Sequence, residues 1–168
     1  LQEEHNTLMG EHKELQEAHD ELKGWDTIDV QWEVDNWSER CQNKIGAYCR
    51  KDIPVAGHMM QLRLNFKGDD VGLWMKNAGG CEIRHARIGG TKLRIESTDA
   101  NNTIEHTFST NAEITHRSLL GWKDFAELAH ISDPENGFIE NDTIMITATI
   151  RAERVGANEP QDVSTLPS

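Results

Sequence analysis

From Thr143 to Ile150 the chain alternates without a break. Ile144, Ile146, Ala148 and Ile150 fall on one phase, and Thr143, Met145, Thr147 and Thr149 on the other. A period of two puts the first set on one face of a β-strand and the second on the opposite face. Thr and Ile are also strand formers, so propensity and period agree. The same texture begins at Val30, Trp32 and Val34, set against Asp29, Gln31, Glu33 and Asp35. It returns in Leu62, Leu64 and Phe66, in Leu93 and Ile95, and in Ile104, His106 and Phe108. Turn-forming clusters separate the runs: Lys67-Gly68-Asp69, Asn77-Ala78-Gly79-Gly80, Gly89-Gly90, Asp99-Ala100-Asn101 and Asp133-Pro134-Glu135-Asn136-Gly137. Short strands at intervals of roughly ten residues, with no long helix between them, predict a mainly β antiparallel sandwich or barrel. One helical turn is expected near Trp122–Leu128, where Phe125 and Leu128 stand three apart.

The first 24 residues have a different period. Leu1, Leu8, Leu15 and Leu22 recur every seventh residue, and His5, His12 and His19 keep the same step four places behind. With Leu at d and His at a, this is a coiled-coil seam, so residues 1–24 are expected to be an oligomerisation helix ending at Gly24. Barely three heptads with histidine at a make a marginal coil, and the stretch is expected to end a longer stalk. Rings of imidazoles at the axis could serve as a pH switch or a zinc site, but the plain reading is polar a positions that weaken the coil and fix its register.

Composition narrows the function. The 168 residues carry a net charge of −12, and no basic stripe is available for nucleic acid or an anionic membrane. Nothing approaches the roughly 18 consecutive apolar residues of a membrane span. Cys41, Cys49 and Cys81 form no CxxC pair, which suggests free thiols and a cytoplasmic chain. Three glycosylation triplets start at Asn36, Asn101 and Asn141 and carry no weight in such a compartment. Catalytic motifs such as GxSxG, HExxH, the P-loop and GxGxxG are missing, so no catalytic residue, metal ligand or cofactor is expected. Residues 25–155 make the globular domain, and the Gly, Asn, Pro, Gln and Ser of 156–168 read as a disordered tail or linker.

Two stretches carry a family resemblance. Val30-Gln31-Trp32-Glu33-Val34-Asp35-Asn36-Trp37-Ser38 resembles the opening strand of the MATH domain, the meprin and TRAF homology fold. Gly121-Trp122-Lys123-Asp124-Phe125, followed by Asp133 to Ile146 with its Gly137-Phe138-Ile139 step, resembles the family's C-terminal stretch. The resemblance covers about residues 28–153 and implies an eight-stranded antiparallel β-sandwich. A coil running straight into the first strand is similar to the TRAF branch, whose members are trimers that bind short peptides.

The resemblance implies a non-catalytic adaptor: a homo-oligomer, expected to be a trimer, whose partners are short extended peptides added as a strand at the sandwich edge. Carried over, the groove comprises Phe108 and Ser109 on one strand and Leu120, Gly121 and Trp122 on the next. Leu73, Trp74 and Met75 lie beside them, and His58 stands near the rim. The chain departs from the receptor-binding pattern: Val55-Ala56-Gly57-His58 replaces the Arg and Tyr that receive an acidic ligand side chain, and the serine triplet is absent. Two alternatives therefore stay open. One is a structural self-assembly protein with a vestigial groove, the other a substrate-recognition module of the ubiquitin pathway.

Overall fold

The computed structural model of the chain describes residues 24–80 and 85–154. The heptad residues Leu1, His5, Leu8, His12, Leu15, His19 and Leu22, the tail and Cys81 lie outside them, and with them the coiled coil and its oligomer.

Twelve strands form among the described residues: β1 (Trp25–Val34), β2 (Ala47–Tyr48), β3 (Ile53–Val55), β4 (His58–Lys67), β5 (Asp70–Gly80), β6 (Ala86–Arg87), β7 (Lys92–Glu96), β8 (Ile104–Thr107), β9 (Glu113–Ile114), β10 (Leu119–Glu127), β11 (Ile139–Glu140) and β12 (Thr143–Glu153). The count of eight is thus corrected. The excess comes from β2, β3, β6, β9 and β11, which are two or three residues long and too short to show a period. Two short helices, α1 (Trp37–Asn43) and α2 (Leu128–Ser132), complete the frame. The helical turn expected near Trp122–Leu128 begins only at Leu128, because Trp122–Glu127 belongs to β10.

One five-stranded antiparallel sheet runs β1-β12-β7-β8, with β11 on β12. The other runs β10-β5-β4-β2, with β3 on β4, and β6 pairs separately with β9. Their inner faces share one core. The aliphatic phase of β12 is buried along its length, from Ile144 to Ala152, and so are Leu93 and Ile95 of β7. Facing them are Met60, Leu62 and Leu64 of β4, and Val71, Leu73 and Met75 of β5. Residues of both inner phases interdigitating in this way are what a sandwich requires.

Tight turns set the registers. Asn141 and Asp142 both have positive φ, of 53° and 57°, and join β11 to β12 as a two-residue hairpin loop. Ala56 and Gly57, at φ 55° and 85°, do the same between β3 and β4. Asp142 also caps α1: its Oδ1 accepts from the Ser38 backbone N–H at 2.9 Å and the Ser38 hydroxyl at 2.6 Å. These two hydrogen bonds hold the Asp142 carboxyl below its ordinary range. Trp37 of α1 is then driven into the core, where its ring meets Phe66 at 5.4 Å.

Candidate functional site

Strand β10 has a single strand neighbour, β5, and is therefore an edge of its sheet. Leu119↔Lys76, Leu120↔Met75, Gly121↔Trp74 and Trp122↔Leu73 pair in regular register, which then slips between Trp122 and Ala126. Gly121 is where β10 presses closest. A Cβ there would lie 2.7 Å from the Trp74 Cα and overlap the Leu73 carbonyl oxygen.

Strand alternation sorts the expected site residues onto two faces. Leu120 and Trp122 share the phase of Leu73 and Met75, which are fully buried, so they face the inter-sheet side. The half-buried Trp122 stacks on Phe108 at 4.5 Å and on His106 at 5.1 Å, with Phe125 edge-on at 5.8 Å. His106 Nε2 lies 3.0 Å from the Phe125 carbonyl oxygen. This aromatic group closes the opening between β8 and β10 and ties the two sheets together at that edge.

The eight residues expected around one groove are therefore divided. Met75 is core, at 0% exposure, and Phe108 is buried at 7%. His58 is corrected from the rim to the interior: it shares the buried phase of β4, and its Nε2 lies 3.1 Å from the Glu153 carbonyl oxygen. The tight turn at Ala56-Gly57 fixes that phase. Ser109 is exposed just past β8, while Trp74 and Gly121 belong to the outer face of the β10-β5-β4-β2 sheet.

That outer face holds residues the sequence did not single out. Tyr48, Arg63, Trp74 and Gly121 are register partners in one row across β2, β4, β5 and β10. The Trp74 indole N–H donates to Asn65 Oδ1 at 3.1 Å, and the Arg63 guanidinium carbon lies 5.9 Å from the Tyr48 ring centre. With Gly46, Gln61 and Leu119 they line an open groove of about 780 Å³. The signal for Arg63 and Asn65 lay in the polar phase of β4, which periodicity alone assigns to solvent. Tyr48 sits in a strand of two residues, where no period exists.

A family model described as "MATH domain" matches residues 29–150. The chain belongs to the MATH-domain family. No curated protein matches the sequence. Among solved structures, Notothenia coriiceps TRAF5 is similar at 14% identity and a TM-score of 0.56, over 88% of this chain and 87% of that one. Such a likeness shows a shared TRAF-like fold. A MATH domain is a protein-interaction module, generally non-catalytic. In this MATH domain Cys41 and Cys49 are free thiols. Burial pushes the Cys41 thiol above its ordinary value, against smaller lowering effects from Ser132 and Lys44, which leaves it a poor nucleophile. Among the described residues no group of three His, Cys, Asp or Glu side chains could hold a metal ion, and no helix is long and apolar enough to cross a membrane.

Proposed function

We propose that this MATH domain is a non-catalytic adaptor that takes up short extended peptides of partner proteins along the free side of β10. The observation that carries this is the position of β10 at the edge of its sheet, with Leu119 to Trp122 in unbroken register with β5. An edge strand offers a row of backbone donors and acceptors to an incoming strand, and alternate side chains of that strand then reach either face. Ser109 and Trp74 stand on either side of this edge as candidate contacts, with Leu120, Gly121 and Trp122 on the strand itself. Phe108, Met75 and His58 support them from within.

Oligomerisation through the heptads of residues 1–24 belongs to the same proposal. Several grooves on one stalk would raise a weak single-site affinity by roughly 10² or more against a clustered partner. The cytoplasm, where the free thiols would persist, is the compartment that fits.

Selection of a random nine-residue display library on the full chain tests the binding reading. Enriched peptides are expected to slow amide hydrogen exchange at Leu119–Trp122 in the complex. Protection of a different strand, with β10 unchanged, would sink strand addition at this edge. The vestigial-groove reading draws on the burial of Met75 and His58, and it predicts no enrichment at all.

A further inference from the structure

The outer face of the β10-β5-β4-β2 sheet has a charge at odds with the rest of the molecule. The chain as a whole carries −12, yet the groove beside Trp74 has Arg50 and Arg63 in its lining and no acidic residue. Lys76 adds a third cation. It lies two residues from Trp74, on the same phase of β5, and pairs with Gln61 and Leu119. The nearest carboxylate at the rim, Asp52, is already taken up by the Gln61 amide at 2.9 Å.

Arg63 is the most informative of the three. Its Nε is buried and has no hydrogen-bond partner. A desolvated guanidinium donor without an acceptor is costly, and such groups are normally paired. No carboxylate pairs with Arg63, Arg50 or Lys76 among the described residues. The Tyr48 ring stands beside Arg63 at 5.9 Å. That contact orients the fork while leaving its in-plane donors unused.

The row of partners gives the distance to the proposed strand-addition edge. Gly121, Trp74, Arg63 and Tyr48 lie on four successive strands, which are about 4.8 Å apart. Arg63 is therefore about 10 Å from the edge strand, or roughly three extended residues at about 3.3 Å each. Gly121 has no side chain to stand between the two.

We infer that this groove receives an acidic side chain of the partner peptide, Asp or Glu, held by Arg63 and Arg50, with an apolar neighbour over Trp74 and Leu119. The acid sits about three residues from the part of the peptide that pairs with β10. This rests on the adaptor reading and names the class of partner, an acidic extended peptide. It also supplies an acid-receiving site in a chain whose Val55-Ala56-Gly57-His58 stretch has none.

The test uses the full chain and the random nine-residue library. Peptides enriched on the wild type are expected to share Asp or Glu at one fixed position, and replacing that residue by Asn or Gln should weaken binding about tenfold to a hundredfold. Arg63→Gln should erase the preference, Arg63→Lys should retain part of it, and Arg63→Glu should select Lys or Arg at the same position. Arg50→Gln, at an exposed loop residue, gives a second variant that cannot act by unfolding the sheet, and it should weaken the same preference. Enriched peptides with no fixed acid, or an acid preference that survives both Arg63→Gln and Arg50→Gln, overturn the inference while leaving the adaptor reading standing. No enrichment on the wild type overturns both. If phosphoserine binds at the fixed position and Asp and Glu do not, the carboxylate assignment is wrong.

Discussion

Replacing Gly121 by alanine isolates the contact that fixes the edge strand. The added methyl would stand 2.7 Å from the Trp74 Cα and 3.1 Å from the Leu73 carbonyl carbon, whereas non-bonded carbons settle at about 3.5–4.0 Å. Both obstacles are backbone atoms of β5, and β5 is held on its other side by β4 in the pairs Arg63↔Trp74 and Leu64↔Leu73. Only β10 is free to give way, by about 1 Å judged from that shortfall. Overpacking of this kind costs about 1–3 kcal/mol. Weakening one or two ladder hydrogen bonds adds about 1 kcal/mol each, and reduced entropy of the unfolded chain returns about 0.4–1 kcal/mol. The expected net loss is about 2–3 kcal/mol. At roughly 3–4 °C per kcal/mol this lowers Tm by about 6–12 °C. Gly68→Ala is the control, because nothing lies within 4 Å of its added methyl but its φ is +60°. It should cost only the left-handed backbone strain of about 1–2 kcal/mol. Paired urea and thermal melts give both values, and amide exchange should show the loss in Gly121→Ala concentrated at Leu119–Trp122. A Gly121→Ala cost no larger than that of Gly68→Ala would refute close approach as the reason for glycine.

Two further substitutions probe the turns. Ala56 holds φ 55° in the β3–β4 hairpin, a region Asn tolerates better, so Ala56→Asn should raise stability by about 0.5–1 kcal/mol in a urea melt; a loss would contradict the two-residue turn. The Ser38 hydrogen bonds lower the Asp142 pKa from an ordinary 3.8, so its contribution is present above that pH and is lost as pH falls through the depressed folded value. The Tm gap between wild type and Asp142→Asn should therefore be widest near neutrality and close toward pH 2, and a gap that does not change with pH would remove the ionised cap from the account.

The β12 alternation, the Asn141-Asp142 turn and the buried phases of β4 and β7 were legible because each spans enough residues for a period, or uses residues with one favoured turn. Strand β2 was not, nor was α1, whose seven residues depend on a cap supplied by Asp142, more than a hundred positions away. Propensity counts neighbours along the chain, and α1 is held by a neighbour in space. Trp37 shows the cost of that blindness: it carried a family resemblance in the sequence, while its place in the core came from a helix that local pattern could not announce.

The candidate site divides along the same line. Periodicity fixes the phase of a strand but leaves open which strand ends its sheet, and edge position is what makes β10 a binding surface. It also treats the polar phase as solvent. That is sound for a sheet with one wet face, yet Arg63 sits on that phase with a buried, unpartnered Nε, because Tyr48 from β2 and Trp74 from β5 stand on either side of it. A charged residue between two aromatic neighbours on adjacent strands is partly dehydrated by them, whatever its phase says. Carrying over family positions along the chain inherits the weakness, since it grouped Trp74 with Met75 although alternation puts them on opposite faces. The residues that decide ligand class are then those brought together across strands, and only the register of β2, β4, β5 and β10 makes Tyr48, Arg63, Trp74 and Gly121 a single row.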